Sequence, residues 1–256
     1  MNLTERLQCI ANEIKEGETM ADIGTDHGFL PIYLLENNIC PKAIMTDISH
    51  GSLAKAEENC KTFLRGSNHD LRLGNGIEVL KKGEVDVVCM AGMGGILMTE
   101  IMEEDMTKTC SIKKFILQPR SNIGYLRRWL YDNSFEIVNE QLVREQRFIW
   151  EILTVVKSTG KKDNKKQKMT GQGKANQSMM NEYNKPSIEF ELPPSLARFA
   201  NPLSLEFLEG KLKKEEAIRA EYTKAKNPED VRIAEINYRI SYIEELIESV
   251  KARVNQ

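Results

Sequence analysis

The sequence lacks the features that would tie it to a membrane, to a bound metal ion or to an oxidising compartment. No apolar run approaches the roughly 20 residues that span a bilayer, and the N-terminus lacks the basic-then-apolar layout of a signal peptide. The few cysteines are odd in number and stand at no metal-ligand or redox-motif spacing: Cys9, Cys40, Cys60, Cys89 and Cys110. We therefore predict reduced thiols, no metal site, no membrane association and a cytoplasmic location.

The sequence also lacks a strong net charge, with 36 Lys and Arg against 38 Asp and Glu, but the charge is unevenly distributed. Between Lys157 and Lys185 there are many lysines and only two acids, Asp163 and Glu182. A basic block of this kind could attract a phosphate backbone. Its scarcity of aliphatic residues favours the simpler interpretation, a flexible lysine-rich insertion over residues 158–186.

What the sequence does contain is a regular alternation of strand-like and helix-like segments. It opens with an amphipathic helix, in which Leu3, Leu7, Ile10 and Ile14 recur at helical spacing. Predicted strands at 19–23, 42–48, 71–73, 85–91 and 115–117 then alternate with predicted helices at 28–36, 49–63, 96–102 and 123–131. This pattern predicts an α/β fold with a parallel sheet covered on both faces.

The pattern changes after residue 134. Two strand-like runs, 135–143 and 148–156, are separated by four residues, which is too short a link for a crossover helix. They must therefore pair as an antiparallel hairpin. A Rossmann-like parallel sheet that ends in such a hairpin differs from the dinucleotide-binding dehydrogenases and resembles the class I methyltransferase fold.

The C-terminal segment is predicted to form two helices. Apolar residues in the second helix alternate three and four apart, at Ile233, Ile236, Ile240, Ile243, Ile247, Val250 and Val254, which is the seam of a coiled coil. Residues 227–230 supply a cap and a proline between the helices, and so short a link implies an antiparallel pair. We predict a catalytic domain over 1–157, the insertion over 158–186 and a helical coiled-coil domain over 187–256.

The loop after the first strand, Asp22-Ile-Gly-Thr-Asp-His-Gly28, is the strongest ligand signal. Asp26 and His27 stand where a dinucleotide fingerprint has glycines, and a carboxylate there would repel a pyrophosphate. The same carboxylate is compatible with S-adenosylmethionine, whose ammonium and sulfonium groups are positively charged. Asp47, which ends the second strand, can accept both ribose hydroxyls, although it could equally cap the next helix.

Two later turns complete the predicted cofactor site. Asn75, flanked by glycines, could pair with an adenine edge, or could form a simple turn. The fourth strand ends in Ala91-Gly-Met-Gly-Gly95, and has neither the Asn/Asp-Pro-Pro-aromatic motif of enzymes that methylate exocyclic amines nor a Pro-Cys nucleophile. Its small residues leave room for a flat ring and offer backbone donors at a helix start.

These motifs together resemble one family. Asp22-Ile-Gly-Thr-Asp-His-Gly-Phe-Leu-Pro31, Ala91-Gly-Met-Gly-Gly95, Leu117-Gln-Pro119 and Arg127-Arg-Trp-Leu130, in this order, are similar to the bacterial tRNA (adenine-22-N1)-methyltransferases. The resemblance covers nearly the whole chain and implies a Rossmann-type domain followed by a coiled coil. The lysine-rich segment departs from the family because it is longer than the usual junction.

The resemblance implies methyl transfer from S-adenosylmethionine to N1 of adenine 22 in tRNA, by a monomer or weak dimer. We predict Asp26, then His27, as catalytic residues that stabilise the cationic ring or take the N6 proton; the alternative is that they only position the cofactor. The predicted cofactor contacts are Asp22, Gly24, Asp26, His27, Asp47, Ile48, Asn75, Gly76, Ala91, Gly92 and Met93. The predicted RNA contacts are Arg120, Arg127, Arg128, Arg144 and Arg147.

Three functional classes remain open on the sequence. The first is the RNA N1-adenine methyltransferase. The second is a methyltransferase that acts on another RNA position, on a small molecule or on a protein. The third is a nonenzymatic RNA-binding scaffold, against which the intact Asp22, Asp47 and Asn75 argue.

Overall fold

The computed structural model describes residues 1–64, 66, 68–158, 187–224 and 230–254. The strands are β1 Met20–Ile23, β2 Ala43–Asp47, β3 His69–Leu73, β4 Val87–Gly94, β5 Lys114–Ser121, β6 Phe135–Glu145 and β7 Phe148–Lys157. The helices are α1 Glu5–Asn12, α2 Phe29–Glu36, α3 His50–Phe63, α4 Gly95–Glu104, α5 Met106–Thr109, α6 Ile123–Asp132, α7 Ile188–Glu191, α8 Ser195–Arg198, α9 Ser204–Tyr222 and α10 Asp230–Val254.

The strands form one seven-stranded sheet in the order β3-β2-β1-β4-β5-β7-β6. The first five run parallel, and β7 pairs antiparallel with both β5 and β6. The predicted Rossmann-like class I methyltransferase sheet is therefore confirmed. The strand order reverses between β1 and β4, and ligands of open α/β sheets bind at the carboxyl ends of the strands beside such a reversal.

The sheet separates two apolar layers, as its strand sequences require. In β5 the side chains alternate, with Phe115 and Leu117 packing into one layer and Ile116 into the other. All three are fully buried. Burial on both faces explains why the parallel strands are nearly continuous apolar runs rather than alternating ones.

A partly buried carboxylate attaches the N-terminal helix to the hairpin. Glu13, just after α1, accepts a hydrogen bond of 2.8 Å from the Asn139 side chain, and further ones from Gln141 and Thr154. The acceptors of one side chain thus hold α1 against both β6 and β7. This arrangement lies on the outer strands of the sheet, away from the reversal between β1 and β4.

The C-terminal helices α9 and α10 pack against each other in opposite directions. Arg239 Nε donates to Glu215 at 2.9 Å, whereas Leu208, seven residues earlier in α9, shares a core with Ile247 and Val250. The buried residues of α10 include most of the predicted seam: Ile236, Ile240, Ile243, Ile247 and Val250. The helix pair is confirmed, while its regular coiled-coil geometry stays a prediction.

Some expectations were incomplete or lie outside the described residues. The short helices α5, α7 and α8 were not predicted. The insertion, apart from Ser158, and the cap at 227–229 lie outside the described residues. The division into domains stays a prediction. Among the helices that the structure describes, none is long and apolar enough to cross a membrane.

Candidate active site

The loop between β1 and α2 is built from alternating left-handed residues. Gly24, Asp26 and Gly28 have φ values of 73°, 48° and 71°, and the amides of Gly24 and Thr25 both donate to the Thr46 carbonyl at 2.9 Å. A Cβ at Gly28 would stand 3.0 Å from the sulfur of Met45. The glycines therefore bend the loop tightly over the end of β2, as the sequence pattern predicted.

Asp22 supports this loop from below. Its carboxylate accepts a 2.8 Å hydrogen bond from the Thr25 hydroxyl, and both residues are buried. Burial raises the pKa of Asp22 to about 6, against the opposing effect of hydrogen bonds from Thr25 and Cys89. The placement makes Asp22 an organiser of the loop, and its contact with a cofactor stays a prediction.

Asp47 lies at the end of β2, directly beside the loop. Its two carboxylate oxygens accept from the Ser49 amide at 2.8 Å and from the Asp26 amide at 3.3 Å. The capping of α3 belongs to Ser49, whose hydroxyl accepts from the Ser52 amide. Because an ionised carboxylate has about four acceptor positions, Asp47 retains capacity for a ligand.

The third turn has a structural reason for its glycine that the sequence did not reveal. A Cβ at Gly76 would lie 2.6 Å from the Ile101 side chain of α4, so the glycine is needed for packing. Asn75 is exposed, and its backbone N–H donates to the Glu78 carboxylate at 2.6 Å. The Asn75 side chain is therefore available to a ligand, and the predicted contacts of Asn75 and Gly76 stay predictions.

The end of β4 bulges at Gly92. The β4–β5 register pairs Ala91 with Gln118 and Met93 with Pro119, which leaves Gly92 between them without a partner residue. Gly92 has a φ of 77°. Met93 reaches back to the first loop, since its terminal methyl would stand 3.2 Å from a Cβ at Gly24. The bulge and the first loop thus form adjacent walls of one site.

Asp26 and His27 present their side chains at the open side of this site. The Asp26 side chain is 62% exposed, and its carboxylate lies 3.6 Å from His27 Nε2. The His27 ring stacks on Phe29 at 5.2 Å between centroids. Both residues can therefore meet a substrate that approaches from solvent.

The predicted RNA contacts are not equivalent. Arg120 is exposed at the end of β5, and Arg147 is exposed at the hairpin turn, where it lies over the Phe148 ring. Arg128 pairs with Asp132 at 2.6 Å, and Arg144 pairs with Glu206. Arg120 and Arg147 are the better candidates, because the other two already have carboxylate partners.

Arg127 was predicted to contact RNA, and this prediction is wrong. The residue is only 3% exposed, and one terminal nitrogen of its guanidinium binds both Glu140 and Glu151. The other terminal nitrogen donates to the Phe190 and Glu191 carbonyls. Arg127 joins α6, the hairpin and α7 in the interior, so it cannot reach a phosphate.

A cleft of about 360 Å³ lies between the β5–α6 junction and the C-terminal helices. Its walls include Arg120, Tyr125 and Trp150 on one side, and Phe207 and Lys211 on the other. Pro119 and Ser121 in its lining pair with Met93 and Gly94 of β4, so the cleft lies beside the strand end that carries the bulge. No group of three or more metal-ligating side chains occurs among the described residues.

Comparison with known proteins agrees with this geometry. Residues 3–153 match a family described as "Methyltransferase domain". The tRNA (adenine(22)-N(1))-methyltransferase of Bacillus subtilis is 36% identical over 153 residues, which make up 60% of this chain and 64% of that protein. That alignment thus spans a little less than two thirds of the relative's length.

Solved structures match over nearly the full chain. The B. subtilis tRNA methyltransferase TrmK is 29% identical with a TM-score of 0.77, covering 96% of this chain and 99% of that one. TrmK of M. capricolum, solved with S-adenosyl-homocysteine, is 25% identical with a TM-score of 0.74, covering 97% and 99%. The chain therefore belongs to the methyltransferase domain family, and over nearly its full length it is similar to the bacterial tRNA (adenine-22-N1)-methyltransferases.

Proposed function

We propose that the protein transfers a methyl group from S-adenosylmethionine to N1 of adenine 22 in tRNA. The observation that carries this proposal is the meeting of the Asp26 loop, Asp47 and the Gly92 bulge at the reversal of a class I methyltransferase sheet. The B. subtilis relative with this activity supports the choice of substrate. We also propose that the protein acts in the cytoplasm; whether it is a monomer or a weak dimer stays a prediction.

The residues of the site fit the cofactor. Asp47 has free acceptor positions for ribose hydroxyls, and the neighbouring Ile48 is 75% exposed, so it offers an apolar surface to a purine. At Gly92 no atom lies within 4 Å of the position that a Cβ would take, which leaves open space beside the bulge. S-adenosylmethionine supplies a methyl group that its sulfonium activates for attack.

Asp26 is our candidate for the residue that meets the reacting base. N1 of adenine has an in-plane lone pair and needs no deprotonation before attack. Methylation makes the ring cationic and acidifies the N6 amine, so a carboxylate beside it stabilises that charge or accepts the proton. His27, whose Nε2 lies 3.6 Å from the Asp26 carboxylate, is the second candidate.

The substrate base must leave its base pair, because N1 lies on the Watson–Crick edge. The cleft next to the bulge offers aromatic side chains and the cations of Arg120 and Lys211. Such groups suit unstacked bases and phosphates. We propose that Arg120 and Arg147 contact phosphates, with Arg128 and Arg144 contributing only where RNA displaces their present carboxylate partners.

Asp47→Ala is expected to weaken cofactor binding. Removing an ionised acceptor from a paired ribose contact costs about 1.5–3 kcal/mol, equivalent to about 10- to 150-fold in Kd. Calorimetric titration with S-adenosylmethionine measures this directly. Because Ser49 caps α3 by itself, the helix should persist, and an unchanged affinity would remove Asp47 from the cofactor site.

Replacing both Lys213 and Lys214 in α9 by Glu is expected to weaken tRNA binding about tenfold, and to lower the slope of log K against log salt by about one per lost phosphate contact. Both side chains are exposed. The matched control reverses Lys81 and Lys82, which are equally exposed but lie in the loop between β3 and β4. Equal losses in the two double variants would show a general charge effect and no RNA-binding role for α9.

The proposed function is tested by methyl transfer to two tRNA transcripts that differ only at nucleotide 22. We expect labelled methyl groups to enter the transcript with adenine 22 and not the one with guanine 22. Equal labelling of both would favour another RNA position as the target. Labelling of neither, by a protein that binds the cofactor, would favour a small-molecule or protein substrate.

A further inference from the structure

The bulge in β4 is held by a side chain rather than by the backbone ladder. The Gly92 amide, which the bulge removes from strand pairing, donates to Gln118 Oε1 at 3.1 Å. Bulges next to active sites serve to redirect side chains. Here Met93, directly after the bulge, stands close to Gly24 in the first loop.

Gln118 is only 1% exposed, and its amide can point only one way. Its oxygen accepts from two donors, the Gly92 amide and Arg6 Nη1, each at 3.1 Å. Its nitrogen donates to the Pro119 carbonyl at 3.2 Å. Because a reversed amide would set its NH₂ against two N–H donors, the neighbours fix the orientation.

Arg6 in turn is held by the hairpin at the edge of the sheet. Its Nε donates to Glu145 Oε2 at 2.9 Å, an ion pair in which both side chains are largely shielded from solvent. Glu145 is the last residue of β6, at the hairpin turn. A chain of hydrogen bonds therefore runs from the hairpin through α1 and β5 to the bulge in β4.

We propose that Gln118, oriented by Arg6, is a positioning residue for methyl transfer. It fixes the main chain at Gly92, so that the bulge and the Asp26 loop stay at the separation that aligns the acceptor base with the methyl group. Gln118 itself touches neither reactant. This inference rests on the proposed function, since it concerns the geometry of the same site.

The test compares two replacements of the same side chain. Gln118→Met keeps the length but removes both acceptor interactions, whereas Gln118→Glu keeps an acceptor oxygen for Gly92 and Arg6 and loses only the donor to the Pro119 carbonyl. We expect Gln118→Met to lower kcat about tenfold or more at saturating cofactor and tRNA, with KM for tRNA changed less than about threefold, because small misplacements are costly in an aligned reaction. Gln118→Glu should restore kcat to within about threefold of wild type.

The stability control is Thr154→Val, which removes a partly buried hydrogen bond from β7 to Glu13. It should lower Tm as Gln118→Met does, without the loss of kcat. If the Gln118→Met protein does not fold, Arg6→Met provides the same test, because Arg6 is partly exposed and its loss frees the Gln118 amide. A fall in kcat that merely tracks Tm in all these variants would overturn the positioning role.

Hydrogen exchange at the Gly92 amide separates failure of this inference from failure of the proposed function. We expect protection of this amide to fall about tenfold or more in Gln118→Met and to persist in Gln118→Glu, whatever the substrate is. Unchanged protection in Gln118→Met would overturn the inference. Wild-type protein that leaves adenine 22 unmodified, with the exchange results as expected, would contradict the function alone.

Discussion

Asp26→Asn is expected to lower the single-turnover rate of methyl transfer about 100-fold, which is within the range for loss of a catalytic acid–base or charge-stabilising group. The substitution keeps the size of the side chain and removes its charge. Asn also tolerates the left-handed conformation that the residue adopts, with φ of 48°. The loop should therefore keep its shape, and the measured loss should report the carboxylate.

The control for Asp26→Asn is Glu57→Gln, which removes one charge from the exposed face of α3 and should leave the rate unchanged. Both variants need calorimetry with S-adenosylmethionine. A near-normal rate for Asp26→Asn at saturating cofactor and RNA would leave the carboxylate without a catalytic role. If the same variant lost cofactor affinity instead, Asp26 would only position the cofactor.

Arg127→Met should produce the largest loss of stability, about 3–5 kcal/mol, because it leaves two buried carboxylates without a counter-charge. Burial alone would lower the pKa of Arg127, but the charges of Glu140 and Glu151 outweigh that effect and raise it. Ser195 also donates to Glu140 at 2.7 Å, so the cluster ties α8 to the hairpin. The shift of the urea unfolding midpoint measures the loss.

Arg128→Met is the matched control, one residue further along α6. Arg128 pairs with Asp132 on the surface, where an ion pair contributes about 0–1 kcal/mol, so the loss of stability should be small. Similar shifts for both variants would show that the buried cluster does not stabilise the fold. Deleting the C-terminal helices, residues 187–256, would therefore be a poor test of RNA binding. The deletion would also remove the Phe190 and Glu191 carbonyls that bind Arg127.

The wrong prediction for Arg127 shows what a sequence pattern can and cannot reveal. The fold was predictable because the strands and helices of residues 19–157 have distinct periods and short connections. Arg127 was predicted to contact RNA because of its charge, and its position on the helix was not taken into account. It stands four residues after Ile123 and three before Leu130, on the buried face of α6, and this spacing could have identified it.

In the candidate site, too, some residues could be predicted from the sequence and others could not. Asp26 and Asp47 could be found because each ends a strand or lies in the turn that follows it, so their roles depend on local sequence. Gln118 and Gly92 are far apart along the chain, and they meet only through the β4–β5 register and its bulge. No local pattern encodes that register, and for the same reason the packing of Gly76 against Ile101 was missed.

The central claim is tested most directly by identifying the modified nucleoside and its position in one tRNA. Unmodified transcript, incubated with the protein and S-adenosylmethionine, is digested and examined by mass spectrometry, and primer extension on the intact product locates the block. Methylation at N1 is expected to stop primer extension immediately on the 3′ side of nucleotide 22, because the methyl group occupies the Watson–Crick edge, and digestion should yield 1-methyladenosine. A different methylated nucleoside, or a stop elsewhere in the tRNA, would contradict the account.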